Sequence, residues 1–208
     1  MAGRLRGRFI TLEGGEGAGK STQARALARR LAEAGHPVLL TREPGGPPGA
    51  EAIRGLLLGG DHGWDPLAEA MLHFAARREH VARLIGPALA AGIWVVCDRF
   101  ADSTWAYQGS QGLARADFLA LSALALGPVV PELTLVLDVP PEAGMARAGA
   151  RGPLNRYERL GAGFHAAIRA AFLAIAAAEP DRCAVLDASQ AESAVAAAID
   201  AAIAGRLG

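Results

Sequence analysis

Apolar positions in this chain fall into short unbroken runs separated by longer stretches of helical spacing. Phe9-Ile10-Thr11-Leu12, His36–Thr41, Ile93–Cys97, Leu133–Val139 and Cys183–Leu186 are the runs. Aliphatic and β-branched residues at consecutive positions read as strands buried on both faces. After the first run, Ala24, Leu27, Ala28 and Leu31 recur at helical spacing, and Gly35-His36-Pro37 supplies a stop. Further helical patterns cover about 50–58, 67–91, 113–126, 141–150, 163–178 and 191–206. Buried strands alternating with helices predict an α/β fold of three layers, a five-stranded parallel sheet flanked by helices. Neither an internal repeat nor a linker divides the pattern, so one domain is expected over residues 1–208. The Gly/Pro-rich pieces 44–49 and 59–66, and the polar stretch 151–161, read as loops around a site.

Composition narrows the surroundings. A chain of 208 residues is long enough for one sizeable core. Its formal net charge is zero, which leaves no broad electrostatic footprint for nucleic acid or an anionic membrane. The start, Arg4-Leu5-Arg6-Gly7-Arg8, lacks the apolar segment of a signal peptide and reads as a frayed end. No run approaches the ~18 apolar residues of a membrane span, and the alanine-rich stretch 166–178 is interrupted by Arg169. Cys97 and Cys183 form neither a disulfide framework nor a zinc pattern. Both lie in strand-like runs and read as reduced core thiols, which fits a cytoplasmic location.

Chemistry enters at the first strand. Gly14-Gly15-Glu16-Gly17-Ala18-Gly19-Lys20-Ser21, followed by Thr22, fits the phosphate-binding pattern G-x-x-x-x-G-K-[ST]. Lys20 is the one lysine in the chain; the other residues of the 21 Lys and Arg are all arginine. In such a loop backbone N–H groups wrap phosphates, the ammonium reaches the β/γ oxygens, and the hydroxyl binds Mg²⁺. Strand, glycine loop and helix in succession aim a helix N-terminus at an anion.

Kinases, GTPases and motor-like ATPases share that loop. A guanine-reading Asn-Lys-x-Asp segment is impossible in a chain whose single lysine is Lys20. The deviant loop of partitioning ATPases carries an early lysine where this chain has Glu16. A small-molecule kinase is left in front. Arginine-bearing segments then appear at strand ends, where open α/β sheets bind ligands. Thr41-Arg42-Glu43-Pro44-Gly45-Gly46 leaves the second strand; Asp98-Arg99-Phe100 leaves the third and runs into Ser103-Thr104-Trp105-Ala106-Tyr107-Gln108-Gly109. With the loop at 14–21, these segments resemble the bacterial branch of the thymidylate kinase family over essentially the whole chain.

The resemblance implies a P-loop NTPase fold with a short mobile lid at about 145–161, transfer of the ATP γ-phosphoryl to dTMP, Mg²⁺, and a homodimer built on helices such as 67–91 and 113–126. It implies that the loop 14–22 holds ATP, and that Ser21 and Asp98 hold the metal. Arg99 would contact the dTMP phosphate beside the transferring group, and Arg54 the sugar-phosphate, unless it is a solvated helix charge. Arg77 would hydrogen-bond thymine, Thr104 and Gln108 would line the base, and Glu43 belongs to the substrate set. Tyr107 would pack on the deoxyribose or serve the core. Met145–Glu158 resembles the lid, in which Arg151 and then Arg147 are the expected catalytic arginines, because Glu16 stands where other relatives place a loop arginine.

Three departures qualify the resemblance. The family usually has Phe four residues before the thymine-binding arginine; here His73 holds that place and Phe74 follows. Both i−4 and i−3 lie beside residue i on a helix. Phe74 is preferred as the stacking ring, while a stacking His73 would make thymine affinity pH-sensitive near the imidazole pKa of about 6.5. Ser110-Gln111-Gly112 is one residue shorter than the family segment and lacks its arginine. Gly149 and Asn155 replace a lid arginine and aspartate. The alternatives are another pyrimidine nucleoside-monophosphate or deoxynucleoside kinase and a catalytically dead nucleotide-binding module.

Overall fold

A computed structural model describes residues 7–59, 62–150, 152 and 156–207. Five strands, β1 (Phe9–Glu13), β2 (Val38–Arg42), β3 (Trp94–Asp98), β4 (Leu133–Asp138) and β5 (Cys183–Asp187), pair in parallel in the order β2-β3-β1-β4-β5. Their unbroken apolar runs follow from burial on both faces. Ile10, Leu12 and Val96 point into a cluster with Leu27, Leu135 and Ile199. Their strand neighbours Phe9, Val95 and Cys97 point the other way, into a cluster with Val81, Ile85 and Phe100. Side-chain alternation along a strand makes these two cores, and helices cover both.

The helices are α1 (Lys20–Glu33), α2 (Pro48–Leu58), α3 (Pro66–His80), α4 (Gly86–Ala90), α5 (Ala101–Gly109), α6 (Arg115–Leu126), α7 (Pro141–Gly149), α8 (Ala162–Ala178) and α9 (Glu192–Leu207). The stretch expected as one helix over 67–91 is interrupted by a π-helical segment, Val81–Ile85. Pro87 explains it: its ring has no N–H and crowds the carbonyl four residues back, and the wider turn relieves the clash. Helix α5 was not foreseen, because Asp102, Ser103 and Gln108 break its apolar period. Among the described residues no helix is long and apolar enough to cross a membrane.

Since all strands run the same way, their carboxyl ends lie on one edge of the sheet. The segments after β1, β2 and β3 therefore meet there, at the place where the chain's crossovers diverge from β1.

Candidate active site

These segments line a cleft of about 550 Å³ together with residues of α2, α3, α5 and α7. The loop after β1 is wound tightly enough to need glycine. At Gly14 (φ +137°) a Cβ would lie 2.4 Å from the Leu137 carbonyl oxygen, and at Gly17 (φ +67°) 1.8 Å from that of Gly144 in α7. Helix α7, which leads into the expected lid region, is thus packed directly against the phosphate loop.

Lys20 begins α1 and folds back over the loop, its Nζ donating to the carbonyls of Gly14 (3.0 Å) and Gly15 (2.6 Å). The ammonium is buried, and burial, reinforced by the Arg99 charge, lowers its pKa to about 8. An added anion would oppose that shift by favouring the charged ammonium. Next to it the Ser21 hydroxyl donates to Asp98 Oδ2. Two hard oxygen donors in contact beside a phosphate loop suit Mg²⁺, which takes few protein ligands and keeps waters and phosphate oxygens. Thr22 lines the cleft beside them.

Arg99 follows Asp98 with φ +70°, the left-handed region, which is uncommon for a residue with a side chain. Two hydrogen bonds pin that turn: Arg99 N–H to the Leu12 carbonyl (2.9 Å) and Phe100 N–H to Glu13 Oε1 (2.7 Å). The guanidinium then reaches Glu16 Oε1 (2.9 Å), the Gly14 carbonyl (3.2 Å) and Ser103 Oγ (3.2 Å), and lies 5.1 Å from the centre of the Tyr107 ring. Tyr107 donates its own hydroxyl to Glu16 Oε1 at 2.8 Å. Glu13 is wholly buried behind this turn. Burial, with Asp102 nearby, raises its pKa to about 7, against the opposing Ser103 hydrogen bond.

A second wall is built around Arg77 of α3. Its Nε donates to Glu43 Oε2 (2.6 Å), and one terminal nitrogen to the Phe100 carbonyl (3.0 Å) and Thr104 Oγ1 (3.1 Å). Glu43 also takes His80 Nδ1 on its other oxygen (2.9 Å), so both of its oxygens hold α3. Glu43, expected among the substrate contacts, lines the cleft and supports Arg77 there. Arg54 donates to the Pro44 carbonyl at 2.6 Å on the same side of the cleft. Two buried polar atoms here have no hydrogen-bond partner among the described residues: Arg77 Nη1 and Gln108 Oε1. Both side chains line the cleft.

The two candidate stacking rings lie in different surroundings. Phe74 is buried in a separate cluster with Phe118 and Leu113, its ring 5.7 Å from that of Phe118, whereas His73 lines the cleft. Of the two helical neighbours of Arg77, only i−4 shares its cleft face. Nor does His73 titrate near 6.5. Burial, with the charges of Arg77, Arg99 and Arg156, lowers it to about 3, so the ring is neutral at physiological pH.

Arg147 in α7 lines the cleft and donates to the carbonyls of Ala188 (2.8 Å) and Ser189 (3.4 Å). Arg151, the first expected lid arginine, lies outside the described residues, as does Asn155. Sequence reasoning gave no role to Glu13, Ser103, Glu69 and Tyr157, and saw Arg156 only as an arginine of the lid. One signal was available: Glu69, His73 and Arg77 recur every four residues on a helix that otherwise turns apolar residues inward.

A sequence profile of the thymidylate kinase family matches residues 12–199. The chain is 56% identical over 204 residues to the thymidylate kinase of Caulobacter vibrioides, covering 97% of this chain and 98% of that one. It is 54% identical to that of Pseudomonas fluorescens, with 95% of each chain covered. A crystal structure of the Ehrlichia chaffeensis thymidylate kinase superposes with a TM-score of 0.77 at 34% identity, covering 94% of this chain and 98% of that one.

Proposed function

The chain belongs to the thymidylate kinase family, and we propose how its residues divide the work of that family's reaction. It is an ATP:dTMP phosphotransferase, giving dTDP and ADP. The observation that carries the residue assignment is the pair of unpartnered atoms on the base wall, a donor at Arg77 Nη1 and an acceptor at Gln108 Oε1. Thymine offers the reciprocal pair, an accepting O4 beside a donating N3–H. Buried polar groups rarely stay unpaired, so this wall is complete only with such a base. Thr104 fixes Arg77 from behind, and neutral His73 supplies the flat ring.

Both substrates are polyanions, so the reaction is governed by positioning and by positive charge where negative charge develops. The loop amides from Gly14 to Thr22 and the Lys20 ammonium hold the donor phosphates. Arg54 and Arg99 face the acceptor phosphate, and Tyr107 the sugar. Glu16, which already accepts from Arg99 and Tyr107, aligns the two. Ser21 and Asp98 would hold Mg²⁺, which when bound neutralises charge on the β/γ oxygens. Arg147 and Arg151 are the lid residues assigned to the transferring phosphoryl, in a domain spanning 1–208 with its lid at about 145–161. A cytoplasmic homodimer fits the reading: reduced cysteines suit that compartment, and Met71 of α3 and Leu119 and Leu124 of α6 are exposed, Leu124 by 79%.

The assay that tests the assignment measures coupled ADP release with ATP and Mg²⁺ against dTMP, dUMP, dCMP, dGMP and AMP. Turnover should be best with dTMP. dUMP should follow within ~10–200-fold, because a missing methyl discriminates weakly. Equal turnover of dGMP or AMP would contradict the base wall. A second expectation concerns pH. Wild type and His73→Phe should show parallel dTMP affinity from about pH 5.5 to 8, because an imidazole lowered to about 3 carries no proton in that window. The dTMP phosphate titrates near 6 and affects both proteins alike. An affinity change near pH 6.5 confined to wild type would contradict the neutral ring.

A further inference from the structure

Gln108 can accept from thymine N3–H only if its carbonyl, and not its amide nitrogen, faces the base. Its wholly buried neighbour Glu69 decides which. Glu69 stands on α3 two turns before Arg77, with its side chain closed off from solvent. Oε2 accepts Gln108 Nε2 at 2.9 Å, while Oε1 accepts Arg156 Nη1 at 2.5 Å and the Tyr157 hydroxyl at 2.9 Å. With its nitrogen held on Glu69, Oε1 is left without a hydrogen-bond partner among the described residues, in a side chain that lines the cleft. Turning the amide over would bring two accepting oxygens within about 2.9 Å of each other, where the hydrogen bond now lies.

We propose that Glu69 is a specificity-determining positioning residue. By fixing the Gln108 carbonyl toward the base, it makes the pocket accept 4-oxo pyrimidine monophosphates and reject 4-amino ones. This rests on the base-wall reading above. Cytosine presents a lone pair at N3 and an amino group at position 4. It would therefore set acceptor against Gln108 Oε1 and donor against Arg77 Nη1. A site built to hydrogen-bond its substrate rejects a mismatched analogue by on the order of 10⁴-fold.

Glu69→Gln makes a sharp test because it inverts the device with little change of shape. Arg156 and Tyr157 both donate to one oxygen, so the new amide keeps its carbonyl there and turns its NH₂ toward Gln108. Gln108 must then flip and present its own NH₂ to the base. The expected result is a fall in kcat/KM for dTMP of ~10–100-fold, carried mainly by KM. The dTMP:dCMP selectivity ratio should shrink by at least ~100-fold. Glu69→Asp, which still offers only acceptors, should lose activity yet keep the ratio. Equal losses for dTMP and dCMP in Glu69→Gln would overturn the proposal and leave Glu69 a merely structural group. Unmutated protein gives an arm that does not depend on variant folding: comparable turnover of dCMP and dUMP would overturn it too. Gln108→Ala separates the two layers. If that change leaves KM for dTMP untouched, the base-wall reading itself fails; if KM rises while the Glu69→Gln ratio stays fixed, only the role of Glu69 is lost.

Discussion

Lys20→Arg should lower kcat by on the order of 10³-fold or more while the protein still folds. The charge is kept and the shape is lost. Nζ sits 3.0 and 2.6 Å from two carbonyls of the loop it closes, in a buried space sized for a compact ammonium. A planar guanidinium is wider and spreads its donors in a rigid fork, so it must either displace the loop or turn away from the phosphates. Folding should tolerate the neutral change Lys20→Met well. The pKa of Lys20 falls to about 8 in the folded chain from its ordinary value of about 10.4, so folding disfavours its charged form. Burying that charge costs stability at neutral pH, and removing it should leave the melting temperature at or above that of the unchanged protein. Kinetics of Lys20→Arg beside melting curves of both variants check this, and near-normal turnover of Lys20→Arg would refute the placement.

Arg99 should be nearly as sensitive, by a route that separates backbone from side chain. Arg99→Ala and Arg99→Gly should each lose on the order of 10²–10³-fold in kcat, because each removes a charge poised beside Glu16 and the loop. Their stabilities should differ. At φ +70° glycine is relaxed and alanine strained, so the Gly variant should be more stable than the Ala variant by about 1 kcal/mol. Denaturant titration of the pair measures that difference. A Gly variant less stable than the Ala variant would show that the turn held by Leu12 and Glu13 does not impose the backbone geometry.

What could be read in the sequence was local, and what could not was held by distant partners. The five strands are legible because burial on both faces leaves unbroken apolar runs. The phosphate loop is legible because its glycines and Lys20 serve one another within eight residues. Helix α5 was not, since Ser103 and Gln108 answer to Glu13 and Glu69 from other elements and so break the apolar period. The two rings beside Arg77 could not be ranked from spacing alone; that needed Phe118, which claims Phe74 for the core. Gly144 carries no sequence signal as a site residue, yet its carbonyl lies against Gly17. Glu69 could have been suspected from its four-residue spacing to His73 and Arg77. Its partners Arg156 and Tyr157, more than eighty residues away, could not.

The division of labour among these residues comes to one measurement, a crystal structure with dTMP, Mg²⁺ and a non-hydrolysable ATP analogue. Thymine O4 should lie on Arg77 Nη1 and N3 on Gln108 Oε1, with the His73 ring along the base. The dTMP phosphate should face Arg99 and Arg54, and the triphosphate should lie in the loop against Lys20. A base seated against Phe74, or a thymine edge turned away from Arg77 and Gln108, would contradict the assignment.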